Sequence, residues 1–167
     1  IVTAPPLFVL AQRRSLRDLR PYLPLYAIAA GAVALAVLAE AARGKSPRAL
    51  LGAYAVVGDQ SYDVGRVLHY WLWHLEELDL YVGVVPVAAL LLLLALVRSQ
   101  PRPVQALLAV TVPLVFWVTL VVAAFASQFA SNRVQERNMF FVVPLLLVVL
   151  LVWAHSGAPR PLVATAN

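Results

Sequence analysis

Apolar residues along this chain come in blocks about as long as a bilayer is thick, set apart by short polar and basic stretches. The four clearest blocks are Leu23–Ala39, Leu80–Val97, Val104–Ala126 and Met139–Ala154, and none contains a charged residue. A helix of about 20 apolar residues crosses a hydrocarbon core of ~30 Å. Helices and closed barrels are the folds that satisfy every backbone polar group at that depth. The pattern therefore predicts an all-α, polytopic helical membrane protein with about four transmembrane helices. The last block is short. Its sixteen residues rise through roughly 24 Å, so flanking side chains must snorkel or the bilayer must thin.

The connections carry patterns of their own. Residues 1–22 form a basic N-terminal segment whose apolar opening, Ile1–Ala11, reads as the end of an earlier span. Residues 40–78 make the longest connection. Within it, residues 63–78 place Val64, Val67, Leu68, Trp71, Leu72, Leu75 and Leu78 at spacings of three and four, with Arg66, His69, Tyr70, Trp73, Glu76 and Glu77 on the other side. That spacing predicts an amphipathic helix, and its tryptophans and tyrosine predict that it lies in the membrane interface. Residues 127–138 form a polar loop, and residues 155–167 are expected to be a disordered tail. Pro86, Pro113 and Pro144 fall inside three of the blocks, where membrane helices accept prolines as kinks.

Composition agrees with lipid as the solvent. Of 167 residues, 62% are hydrophobic and only 13% charged, against about a quarter charged in soluble domains; mean hydropathy is +0.83. The net charge of +5 comes from arginines at block ends, which anchor helices to headgroups. No basic stripe with interleaved aromatics is present, so a nucleic-acid partner is not expected. There is no cysteine, and hence no disulfide or thiolate metal site. The chain opens mid-pattern at Ile1, has Met139 as its only methionine and shows no signal peptide, so it reads as a piece of a longer parent chain.

With four spans, one face holds the loops around Arg13–Arg20, Arg98–Arg102 and Arg160, and the other holds residues 40–78 and 127–138. Lysine and arginine divide seven to six, while the acids divide one to seven. The first face is read as cytoplasmic, which makes the amphipathic helix extracytoplasmic.

The candidate chemistry clusters on that outer face. Arg133, Glu136 and Arg137 abut the last block. Arginines at a helix end commonly snorkel to lipid phosphates. They also form a phosphate clamp when a carboxylate such as Glu136 holds the planar guanidinium in position. Asp59, Asp63, Glu76, Glu77 and Asp79 are the outer acids. Most such groups simply sit on a solvated face, but Asp59 and Asp63 are candidates for a catalytic base. Asp79 abuts an apolar block and needs a partner, Arg137 or Arg66. His69 and His74, five residues apart, diverge around a helix and make no zinc pair. His74 and Glu77 at i, i+3 share a face, yet two ligands are not a metal site. Neither a metal nor another cofactor is predicted. Tyr70, Trp71 and Trp73 read first as an interfacial belt and second as a sugar-stacking platform.

The segment "ERNMFFVVPLLLVVLLVW" resembles the arginine-led final helix of C-type (GT-C) membrane glycosyltransferases, the group of the protein O-mannosyltransferases and lipid A aminoarabinose transferases. "HYWLWHLEELDLYVGVVPVAALLLLL" is similar to an extracytoplasmic helix running into a membrane helix in bacterial members. The resemblance covers about Ser61–Trp153 and departs at Asn138, where an aromatic is common. It implies an enzyme that moves a sugar from a polyprenyl-phosphate donor to an extracytoplasmic acceptor at a bacterial plasma membrane, with Arg137, helped by Arg133 and Glu136, facing the carrier phosphate. The family's catalytic carboxylate lies in an early outer loop without a counterpart here, so the resemblance implies the C-terminal membrane portion. The alternative is a non-catalytic transporter or scaffold subunit whose arginines only anchor helices.

Overall fold

The computed structural model describes residues 2–12, 16–48, 50, 60–129 and 136–158. Arg133, Asp59 and the expected tail beyond residue 158 lie outside the described residues, as do the side chains of Glu136 and Arg137. The protein is all-α. Among the described residues the α-helices are α1 (Ala4–Ala11), α2 (Leu23–Ala42), α3 (Val64–Val82), α4 (Val85–Ala95), α5 (Arg102–Phe129) and α6 (Val143–His155). Helical stretches at Arg17–Ala42, Arg102–Phe129 and Asn138–His155 are each long and apolar enough to cross a membrane. A fourth crossing is added if the bent pair α3–α4 counts as one span. By helix length and apolarity this is an integral membrane protein.

The chain forms two compact units, residues 17–61 and residues 3–16 with 62–167. The first is built on α2, which extends the Leu23–Ala39 block to Ala42 and is preceded by a 3-10 stretch at Leu16–Tyr22. None of its residues is buried, and Ile28 and Leu35 are about 70% exposed. In water that surface would be untenable, whereas in hydrocarbon it costs nothing. Near the end of α2, Arg43 pairs with Glu40 at 2.7 Å.

In the second unit α3 and α1 pack on α5, while α4 packs chiefly on α6. Leu93, Leu108, Met139, Leu146 and Val149 form the centre of its core. The expected block Leu80–Val97 is not one helix. Leu80–Val82 belong to α3, the chain turns through 111° at Gly83–Val84, and α4 begins at Val85. Pro86 explains the break: it occupies the first turn of α4, lacks an N–H and would clash with the carbonyl of Val82 in a continuous helix. Gly83 ends α3 in the left-handed region at φ 84°, and its N–H and that of Val84 both donate to the carbonyl of Asp79.

The other prolines divide likewise. Pro144 starts α6, where its missing N–H is not needed. Pro113 alone lies inside a described α-helix, α5, and leaves the carbonyl of Ala109 without its intrahelical donor. Thus Pro86 and Pro144 are helix starts and not kinks, because each follows a bend or a 3-10 turn. At 28 residues α5 is about 42 Å long and overshoots the hydrocarbon core. At 11 residues α4 reaches only about 16 Å.

Candidate functional site

The arginine-led segment enters the structure as a 3-10 turn, Glu136–Val142, running directly into α6. It is held from below. Met139 and Val142 are fully buried in the core beside Leu78 and Leu146, while Phe140 and Phe141 face outward. The turn packs on both α3 and α5, and Phe140 meets Tyr81 of α3 edge-on at 6.4 Å between ring centroids. The backbone carrying Glu136 and Arg137 is therefore fixed next to the last turn of α3.

That last turn brings in Asp79, which is half-buried. Its expected pairing with Arg66 is excluded, since thirteen residues along α3 separate them by about 20 Å. Arg66 instead lies over the Tyr70 ring, 5.8 Å from its centroid. Asp63, the described one of the two candidate bases, has a structural role as well. It is the N-cap of α3, and its carboxylate accepts from the Arg66 N–H at 2.6 Å, satisfying one of the helix's orphan donors.

The face α3 turns to the core is not the one its periodicity picks out. Tyr70, His74 and Leu78 are buried, with Trp71 and Leu75 at their flank, while Val64, Leu68 and Leu72 lie open. The packed stripe is thus rotated from the expected apolar face toward Tyr70, a residue assigned to the polar side. The reason is the solvent. In lipid an open leucine row is not penalised, and interhelical packing is decided by shape and by polar groups that need partners.

Those partners are visible. Trp71 Nε1 donates to Thr119 Oγ1 at 2.8 Å, and Thr119 in turn donates to the Val115 carbonyl at 2.7 Å. His74 Nδ1 donates to the Tyr70 carbonyl one turn back at 2.6 Å. His74 is fully buried whereas Glu77 is half-buried. Among the described residues no three His, Cys, Asp or Glu side chains converge as metal ligands would. Of the aromatic trio, Tyr70 and Trp71 pack inward, and Trp73 is exposed, with its ring 4.2 Å from that of His69 and 5.3 Å from that of Tyr70.

Sequence reasoning missed an apolar cleft of about 320 Å³ between α3, α4, α5 and α6, walled by Trp71, Leu75, Leu78, Leu90, Phe116 and Leu146. It opens because α4 turns away from α3 at Gly83. Leu78 and Leu146 line it and also sit in the core cluster under the 3-10 turn. A hydrocarbon chain is the chemistry such walls accept. The glycine and proline three residues apart were the available signal for a break, but nothing in the pattern says which helices a bend will separate. Comparisons with known protein families, with curated proteins and with solved structures yield no match.

Proposed function

We propose that this chain is the C-terminal membrane part of a glycosyltransferase that takes a sugar from a polyprenyl-phosphate donor to an extracytoplasmic acceptor. In this reading Arg137, with Arg133, neutralises the carrier phosphate, and Glu136 orients the guanidinium groups. The carrier's prenyl tail enters the apolar cleft below. The observation that carries the reading is the coincidence of two features. An arginine-led turn of the GT-C pattern runs into the last helix, and the residues beneath that turn also wall a cleft with no charged lining residue. The base comes from upstream sequence of the parent chain, or from Asp59 or Asp63. The proposed setting is a bacterial plasma membrane, with Arg137 and α3 on the outer side.

The test is binding of a polyprenyl phosphate to the chain in nanodiscs, with Arg137→Lys as the decisive variant. Lysine keeps the charge and loses the bidentate fork, so affinity should fall about tenfold, as loss of a charge-assisted hydrogen bond predicts, while membrane insertion stays normal. Equal affinity for the two proteins defeats the clamp. A non-catalytic transporter or scaffold subunit is the second reading. It is favoured by the break between α3 and α4, since transporters build sites from discontinuous helices.

A further inference from the structure

We propose a second lipid site, independent of the glycosyltransferase reading: a cleft between α1, the α4–α5 turn and the first turns of α5 that seats one acyl chain of phosphatidylglycerol, with the headgroup phosphate on Arg98. The cleft measures about 250 Å³, and its walls include Leu7, Leu10, Leu94 and Leu108. That is smaller than the roughly 300–1,000 Å³ of pockets for compact ligands. A stretch of a single hydrocarbon chain suits it, and chains of that kind are the surrounding solvent of these helices. Water is a poor occupant, because a held water needs two to four polar partners.

Two polar residues interrupt the apolar lining, Arg98 and Gln105. Arg98 sits in the 3-10 turn after α4, where the apolar run stops and headgroup depth begins. It is exposed and has no carboxylate partner among the described residues, and Arg102 stands exposed at the start of α5. Two guanidinium groups at that depth complement a phosphodiester. Gln105 shapes the turn that carries Arg98. It is only 6% exposed, and its Nε2 donates to the carbonyls of Val97 and Gln100 at 3.1 and 3.0 Å, which pins the turn. Its Oε1 is buried with no donor among the described residues. Arg98 and Arg102, both exposed, favour an anionic phospholipid such as phosphatidylglycerol over zwitterionic phosphatidylcholine. In the four-span arrangement this cleft lies on the face opposite Arg137.

The experiment uses the full 167-residue chain in phosphatidylcholine nanodiscs with phosphatidylglycerol carrying an acyl-chain diazirine, crosslinked sites being mapped by mass spectrometry. Crosslinks are expected at Leu7, Leu10 and Leu108, competed by unlabelled phosphatidylglycerol and not by phosphatidylcholine. Arg98→Gln should lower labelling about fivefold, the usual weight of one basic side chain at an anionic surface, and Arg98→Lys should retain most of it. Leu10→Trp, at a half-exposed wall position, should block the cleft without disturbing the core. Labelling that is unchanged in Arg98→Gln, equal with a phosphatidylcholine probe, or spread along the open Leu68–Leu72 row overturns the site.

Discussion

Gly83 and Val84 both adopt positive φ, 84° and 27°, at the bend between α3 and α4. Glycine takes such a conformation freely, whereas a β-branched residue there stores strain of about 1–3 kcal/mol. A Cβ placed on Gly83 would meet no atom within 4 Å, so Gly83→Ala isolates the backbone term. It should destabilise the fold by about 1 kcal/mol. Val84→Gly, at a position already 52% exposed, should lose little packing and offset part of the strain. Unfolding in mixed detergent micelles reads both, and an unchanged Gly83→Ala would mean that the bend is not held as described. Residue roles were legible where local rules govern them. Asp63 before an apolar-periodic run is a capping residue on position alone. The bond from Trp71 to Thr119 was not legible, because it joins residues 48 positions apart and no local spacing reports it.

At the scale of elements, helix existence followed from apolar periodicity, and the blocks at Leu23, Val104 and Met139 all stand as helices within a few residues of the expected ends. What failed was the inference from an apolar stripe to a buried face. That inference assumes water outside, where an exposed Leu72 at 54% would be a defect; with lipid outside, α3 can turn Tyr70 and His74 inward and leave its leucines open. The environment of each face of α3 can be measured. Nitroxide labels at Leu68 and Leu72 should be quenched by oxygen, which concentrates in hydrocarbon, and protected from a water-soluble nickel chelate. A label at Glu77, about 140° around α3 from Leu72, should show the reverse. Equal access of the nickel chelate to Leu72 and Glu77 would place the whole helix in water and remove the reason for its rotated packing.

The whole molecule turns on whether α3 and α4 together cross the bilayer. A 111° turn leaves α4 with about 16 Å of its own rise, to which the short 3-10 turn Val97–Ser99 adds about 6 Å. This is a thin crossing, and it works only if the bilayer thins around Arg98 and Arg102. The four-span arrangement puts Ser99 and Ser156 on one face and Ser46 on the other. A re-entrant α3–α4 hairpin, with three spans, puts all three serines on the same face. Because the chain has no cysteine, single Ser→Cys variants at these exposed positions can be labelled without background. In spheroplasts of a bacterial host, a membrane-impermeant maleimide should label position 46 at once and positions 99 and 156 only after permeabilisation. Uniform labelling of the three would establish the hairpin. It would also move Arg137 across the membrane relative to Ser46, so the proposed outer phosphate clamp and the lipid cleft at Arg98 would have to exchange faces.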